Sequence, residues 1–147
     1  MHSLSEENYL KVIYRLLEGG LPRIATSAVA AGLGVNAASV TEKLQRMAEK
    51  GLIDYEKSRG VALTTDGQTI ALRVIRKHRI WETFLVRQLE FGWEEVHEIA
   101  EQLEHIHSDK LIERIEKHLG FPRFDPHGEP IPDAEGSGEQ TLFQNSG

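Results

Sequence analysis

The 147-residue sequence predicts a mainly α fold: an N-terminal winged helix-turn-helix with a small β-hairpin wing, followed by an all-helical domain. Three observations lead there. Apolar residues recur at helical spacing through most of the chain up to Leu119. Glycines at 19–20, 34 and 51 cut the first part into three helical pieces. Two β-prone runs, Leu52-Ile53-Asp54-Tyr55 and Val61-Ala62-Leu63-Thr64, flank a polar tip with a turn glycine, Glu56-Lys57-Ser58-Arg59-Gly60.

The elements follow in order. Ser5 is the expected cap of the first helix, with Glu6 and Glu7 in the first turn where the helix dipole favours acids. Tyr9, Val12, Ile13, Leu16 and Leu17 form its apolar stripe, and Gly19-Gly20 ends it. Thr26 or Ser27 is expected to cap a short second helix running to Leu33. After the turn Gly34-Val35-Asn36, a third helix spans Ala37 to Lys50 with Val40, Leu44 and Met47 inward. A long helix is expected from Asp66 to Leu89, another from Trp93 to His105, and a last from the Ser108 cap to Leu119. The remaining tail holds four of the five prolines and has no helical period, so it reads as an extended arm turning into a linker. Expected boundaries are 1–65, 66–123 and 124–147.

Composition limits the function classes. Hydrophobic residues make up 39% and charged residues 27%, a globular balance. No run approaches the ~18 apolar residues of a membrane span, and the N-terminus lacks the basic start and apolar run of a secretory signal. With no cysteine, disulfides, zinc–thiolate sites and thiol nucleophiles are excluded, and a cytoplasmic protein is expected. The net charge of −6 is unevenly spread: residues 20–60 carry a net +2, whereas residues 90–120 hold nine acids against Lys110, Arg114 and Lys117. Two halves with different partners are expected.

The basic half has helix-turn-helix spacing, with the third helix as the reading element. Asn36, Ala38, Ser39 and Thr41 lie near its start, where small residues let the backbone approach base edges; Ala38 can pack on a thymine methyl. Arg23, Lys43, Arg46, Lys57 and Arg59 are candidate phosphate contacts. A generic three-helix core with a merely solvated polar side is the alternative reading.

In the acidic half, the helical step of ~100° per residue puts His97, Glu101, Glu104 and His105 on one face. That pattern alone also suits an ordinary amphipathic helix. His78 and Glu82, four apart on the preceding helix, supply a second imidazole–carboxylate pair. Imidazole with carboxylate suits Mn, Fe, Co, Ni or Zn, and so many carboxylates brought together need a cation. His97-Glu98-Ile99-Ala100-Glu101 is H-E-x-x-E, not the H-E-x-x-H of zinc proteases, and there is no phosphate loop or nucleophile elbow. An enzyme is not expected.

Several of these segments, in order, resemble the diphtheria toxin repressor family of iron- and manganese-dependent bacterial repressors. They are SEENYLKVIYRL, AASVTEKLQRMAEKGLIDYEKSRGVALTTDG, RKHRIWETFL, VHEIAEQLEH and DPHGEPIP. The resemblance covers Ser5 to about Pro132. It implies that the helical domain binds metal and dimerises, and that a homodimer binds a palindromic operator when Mn²⁺ or Fe²⁺ is present. It assigns Glu101, Glu104 and His105, with Asn8, to a regulatory metal site, and His78, Glu82 and His97 to an ancillary one. Asn8 stands where the manganese branch has Asp and the iron branch Met; Lys11 stands where the manganese branch has Glu. Glu101 replaces the cysteine of the iron regulators, which favours a harder ion, so manganese is preferred with iron second. Longer members add an SH3-like domain after the DPHG-type segment, and one is expected here if the chain is part of a longer protein. Trp81, Phe84, Leu85, Ile106, Leu111, Ile112, Ile115 and Leu119 are candidates for the dimer interface or for the internal core. The alternative function is a metal-independent winged-helix regulator that senses a small molecule.

Overall fold

The computed structural model describes residues 2–135, which fall into two units, residues 2–72 and 73–135; the boundary lies within one long helix. The expectation of a linker over residues 136–147 lies outside the described residues.

In the first unit, α1 (Leu4–Leu17) starts two residues earlier than expected, because Ser3 and not Ser5 is its cap. Ser3 Oγ accepts from the Glu6 amide at 3.1 Å, and Glu6 Oε1 accepts from the Ser3 amide at 2.8 Å, a reciprocal capping box. Burial alone would raise the Glu6 carboxyl, but Lys50 Nζ, 2.8 Å from both its oxygens, and the Ser3 amide bring it below the ordinary range. That ion pair ties the start of α1 to the end of the third helix. α2 (Thr26–Leu33) opens from Ala25 with no side-chain cap, so Thr26 and Ser27 do not play the expected part; Gly34, at φ 72°, stops it. α3 (Ala37–Glu49) is capped by Asn36, whose Oδ1 accepts from the Ser39 amide at 2.9 Å. Its inner residues Val40, Leu44 and Met47 are buried as expected, each contributing about 1.5–3 kcal/mol of burial.

The wing is an antiparallel pair, β1 (Ile53–Glu56) and β2 (Gly60–Leu63), registered Ile53↔Leu63 to Glu56↔Gly60. Ile24 adds a third, one-residue rung: its amide donates to Val61 O and its carbonyl accepts from Val61 N, both at 2.8 Å. The long helix α4 (Thr65–Leu89) is preceded by Thr64, whose hydroxyl donates to Gly51 O at 2.7 Å and accepts from the Gly67 amide at 3.0 Å. Gly67 is required there, since a Cβ would collide with the Leu52 carbonyl. Leu10, Ile13, Val29, Leu44, Met47 and Val61 form the core of this unit, almost wholly inaccessible.

The second unit comprises the rest of α4, α5 (Val96–Leu103), α6 (Asp109–His118) and the segment after it. Ser108 caps α6 as expected, accepting from the Leu111 amide at 3.2 Å. Ile80, Trp81, Ala100, Ile112, Ile115, Leu119 and Ile131 make one core, with Phe84 and Leu103 packed against it. Among the residues proposed for an interface, Trp81, Ile112, Ile115 and Leu119 are thus internal, Leu85 is buried too, and Ile106 and Leu111 stay exposed. α5 is shorter than expected: residues 93–95 are a turn, and Glu104 and His105 fall just past its end.

The stretch from Arg123 to Pro132 folds back onto α4. Ile131 plugs the core, and Ile131 N donates to Arg123 O at 2.9 Å across a loop closed by the Phe124–Pro130 bridge. Two buried arginines of α4 fasten it: Arg76 bonds Glu116 through both terminal nitrogens and Pro132 O, and Arg79 bonds Pro130 O at 2.6 Å. A segment without sequence periodicity is therefore held by side chains of a helix about fifty residues away.

Candidate metal centre and DNA-binding face

His78, Glu82, His97, Glu101, Glu104 and His105 all belong to the second unit, and the fold brings them into one chain of contacts. Four residues apart on α4, His78 and Glu82 stack one turn above the other, with His78 Nε2 3.1 Å from Glu82 Oε2. The other ring nitrogen, Nδ1, lies 2.6 Å from Glu104 Oε1. Burial alone would lower the His78 imidazole, but the carboxylates facing both nitrogens, Glu104 and then Glu82, raise it above its ordinary value. In the absence of another cation, His78 is held as an imidazolium double donor.

Glu104 is completely buried at the end of α5, with His105 Nε2 3.5 Å from its second oxygen. His97 reaches in from the first turn of α5: its Nδ1 lies 3.8 Å from Glu82 Oε2, its Nε2 3.4 Å from Glu101, and its ring meets that of His78 edge-on at 4.9 Å. The expected single face of α5 is therefore divided. Glu104 and His105 turn inward beyond the helix end, while His97 and Glu101 sit at the rim, their side chains 60% and 47% exposed. Asn8 lies half-buried on α1 in the first unit, beside the buried Glu7. Lys11, also on α1, is likewise half-buried.

Two residues absent from the sequence-based set complete the centre. Asp125 and His127 stand on the loop after α6, and Glu82, Asp125 and His127 each offer a ligand atom within 4.8 Å of one another, as do His78, Glu82 and His97. Asp125 Oδ1 organises the loop by accepting from the His127 and Glu129 amides at 3.0 and 2.8 Å. Its Oδ2 is buried with no hydrogen-bond donor within range. His127 Nε2 lies 3.0 Å from the Trp93 carbonyl, which can only accept, so Nε2 carries the proton. Its Nδ1 faces Glu82 Oε2 at 3.5 Å and Asp125 Oδ2 at 3.6 Å.

The two carboxyl groups, Glu82 and Asp125, face each other beside this imidazole and call for a proton or a metal ion. The proton is held at Asp125: burial first, and then the neighbouring Glu82 carboxylate, push this carboxyl up to about 6. Burial would raise Glu82 as well, but His78 and the protonated Asp125 hold it down to about 2. A divalent cation meets the same need at neutral pH. The donor set fits one: imidazole and carboxylate with no thiol, the orphaned Asp125 Oδ2, and a histidine whose second nitrogen donates to a backbone carbonyl, the usual support of a ligating imidazole.

In the first unit, the expected reading residues lie on the exposed start of α3. Ala38 and Ser39 are exposed, and Thr41 donates back to Ala37 O at 3.2 Å. Asn36 uses one lone pair of its side-chain oxygen on the cap, while its amide hydrogens can donate to another partner. Lys43 is half-buried, Arg46 is exposed and 3.4 Å from Glu42, and Lys57 and Arg59 stand on the exposed wing tip. Arg23 differs from these. Its side chain is only 12% exposed and turned into the base of the wing.

Sequence profiles agree with both halves. The iron dependent repressor N-terminal DNA binding domain matches residues 1–61, and the iron dependent repressor metal binding and dimerisation domain matches residues 64–133. The chain belongs to the diphtheria toxin repressor family. Among curated relatives, the iron-dependent repressor IdeR of Mycobacterium leprae (strain TN) is 37% identical over 126 residues, 86% of this chain and 54% of that protein. The diphtheria toxin repressor of Corynebacterium jeikeium (strain K411) is 34% identical over 126 residues, 86% of this chain and 52% of that protein. Among solved structures, a manganese-dependent transcriptional repressor in complex with manganese superposes with a TM-score of 0.82 at 45% identity, covering 90% of this chain and 60% of the other. The chain thus spans about half to three-fifths of the length of these relatives. The six helices and two-stranded sheet among the described residues are the architecture of this family of metal-dependent repressors. No helix among the described residues is long and apolar enough to cross a membrane.

Proposed function

We propose that this chain is a metal-dependent transcriptional repressor: a cytoplasmic, non-catalytic homodimer that binds a palindromic DNA operator when Mn²⁺ or Fe²⁺ is available, and so controls metal-ion homeostasis. One observation carries the reading. Glu82 Oε2 has three imidazole nitrogens within 3.8 Å and the buried Asp125 carboxyl among its neighbours. Manganese is preferred to iron because every donor is a nitrogen or a hard oxygen. In the proposed division, residues 1–65 read DNA, residues 66–123 bind metal and dimerise, and the tail starts at 124. The loop carrying Asp125 and His127 belongs functionally with the metal-binding part. As the family resemblance implies, Glu101, Glu104 and His105, with Asn8, are retained as the proposed regulatory set, and His78, Glu82 and His97 as the ancillary one.

The chain's own residues supply the coupling. Asp125 and His78, both held above their ordinary values, give up protons, so uptake is proton-linked. A bound divalent ion supplies the positive charge that lets these carboxylates stay close together without protons. Conformers that gather the ligands are favoured over those that do not, and a differential affinity of ~1–3 kcal/mol gives ~5–150-fold coupling to a second ligand. In a dimer, the two α3 helices would read half-sites about 34 Å apart, one DNA turn. The test is a gel-shift titration with Mn²⁺, Fe²⁺ and Zn²⁺ on a duplex enriched by the wild type, set against Glu104→Ala. Metal-strengthened binding that Glu104→Ala blunts is expected; binding indifferent to all three ions would overturn the proposal.

A further inference from the structure

The geometry points to Arg23 as the positioning residue of the wing: it clamps the β1–β2 hairpin to the start of the helix-turn-helix and acts on DNA through the wing, not by touching phosphate. This rests on the DNA-binding reading above and goes beyond it by separating a residue that sets geometry from residues that make contacts.

Arg23 sits just before α2, with a guanidinium that spans the hairpin. Nη1 donates to Asp54 Oδ2 at 3.3 Å, and Nη2 donates to the carbonyls of Asp54 at 2.9 Å and Gly60 at 3.0 Å, with Glu56 3.8 Å away. Asp54 belongs to β1 and Gly60 to β2, so one planar fork holds both strands. The next residue, Ile24, continues the clamp with its two backbone bonds to Val61. Gly60, at φ 94°, lies so close to Ile24 that a Cβ would collide with the Ile24 carbonyl. Strand, glycine and arginine together fix the angle at which the tip leaves the body.

The tip itself has no such support. Lys57, Ser58 and Arg59 are exposed, and Arg59 is paired within the hairpin to Glu56 at 3.1 Å. A two-stranded hairpin is marginal alone, so the direction of Lys57 and Arg59 depends on what grips its base. Arg23 has little surface left for a phosphate, because the nitrogens that would bind it already bond Asp54 and Gly60.

The two roles separate in a double-mutant cycle on DNA affinity. Fluorescence anisotropy with Mn²⁺ would use a labelled duplex enriched from a random library by the wild-type chain. The proteins are wild type, Arg23→Ala, Arg23→Lys, Lys57→Ala/Arg59→Ala and the triple variant, each confirmed folded by thermal melting at the assay temperature. Removing the two tip cations should weaken binding ~10-fold and lower the salt slope by up to ~2 for each protomer bound, up to ~4 for the dimer. Arg23→Ala should weaken it ~3–10-fold, and the triple variant should be no weaker than the tip double variant within ~2-fold, because both lose the same contacts. Arg23→Lys, which keeps the charge but loses the fork, should behave like Arg23→Ala. Losses that multiply in the triple variant, or full affinity in Arg23→Lys, would overturn the inference while leaving the regulator reading intact. Failure of the wild type to enrich any duplex would remove the regulator reading and this inference with it.

Discussion

Asp125→Asn should make the metal-free protein more stable at neutral pH and less responsive to Mn²⁺. The magnitude follows from the carboxyl that this substitution removes. Asp125 rises from 3.8 to about 6 in the fold, so above pH 6 the ionised side chain costs the native state ~3 kcal/mol at ~1.4 kcal/mol per unit. The sign follows from linkage: between these two values the native state binds the extra proton, so stability falls as pH rises and stays low above pH 6. An asparagine keeps an oxygen for the His127 and Glu129 amides, now accepted at Oδ1 at 3.0 and 2.8 Å. It turns an N–H toward Glu82, replacing repulsion with a hydrogen bond. The expected gain is ~1–3 kcal/mol, or roughly 2–10 °C in Tm for a chain of this size. Thermal melts followed by circular dichroism in EDTA should show it at about pH 7.5 and nearly lose it at about pH 4, where Asp125 is protonated in the fold. The Mn²⁺-induced rise in Tm should shrink in the variant. A variant destabilised equally at both pH values, with an undiminished response to Mn²⁺, would refute the reasoning.

Three further outcomes are expected. Mn²⁺ affinity should increase between about pH 5 and 7.5 with net proton release, because His78 is held above 6.5 and Asp125 near 6; calorimetry in buffers of different ionisation enthalpy measures the release, and a pH-independent affinity would contradict it. Ile131→Ala should cost ~2–5 kcal/mol by emptying a core position, and should loosen the loop carrying Asp125 and His127, read as lost Mn²⁺ stabilisation beyond the drop in Tm. Gly67→Ala, which drives a methyl into the Leu52 carbonyl, should destabilise the first unit by several kcal/mol despite the better helix propensity of alanine; a Tm at or above wild type would show that the helix start can shift freely.

Elements whose signal is local are legible in the sequence. The stripes of α1, α3 and α6, the stop at Gly34 and the hairpin can all be read from spacing and punctuation. The His78–Glu82 and His97–Glu101 pairs are legible too, since a four-residue step on a helix is itself a geometry. Asp125 and His127 escape because their partner is 43–45 positions away and they ride on a loop with no period. The only local sign is an acid and an imidazole two apart in DPHG. The partners of Arg23 are hidden for a related reason: composition marks it as a cation near the reading helix, while its acceptors are two backbone carbonyls and Asp54, over thirty residues on. Ser3 wins the cap over Ser5 because it has Glu6 three residues later to complete the box. Leu85, Ile112, Ile115 and Leu119 illustrate a limit of apolar patterning, which marks a buried face without naming what buries it.

The most direct measurement is a Mn²⁺ titration followed by electron paramagnetic resonance, in which the six-line signal of the free aqua ion disappears on binding. Wild type should take up Mn²⁺ at micromolar concentrations, and Glu82→Gln, which removes the oxygen that His78, His97 and His127 all face, should lose that uptake while remaining folded. A wild type that leaves the free-ion signal intact, or a Glu82→Gln variant that binds as wild type does, would contradict the assignment of these side chains to a metal centre.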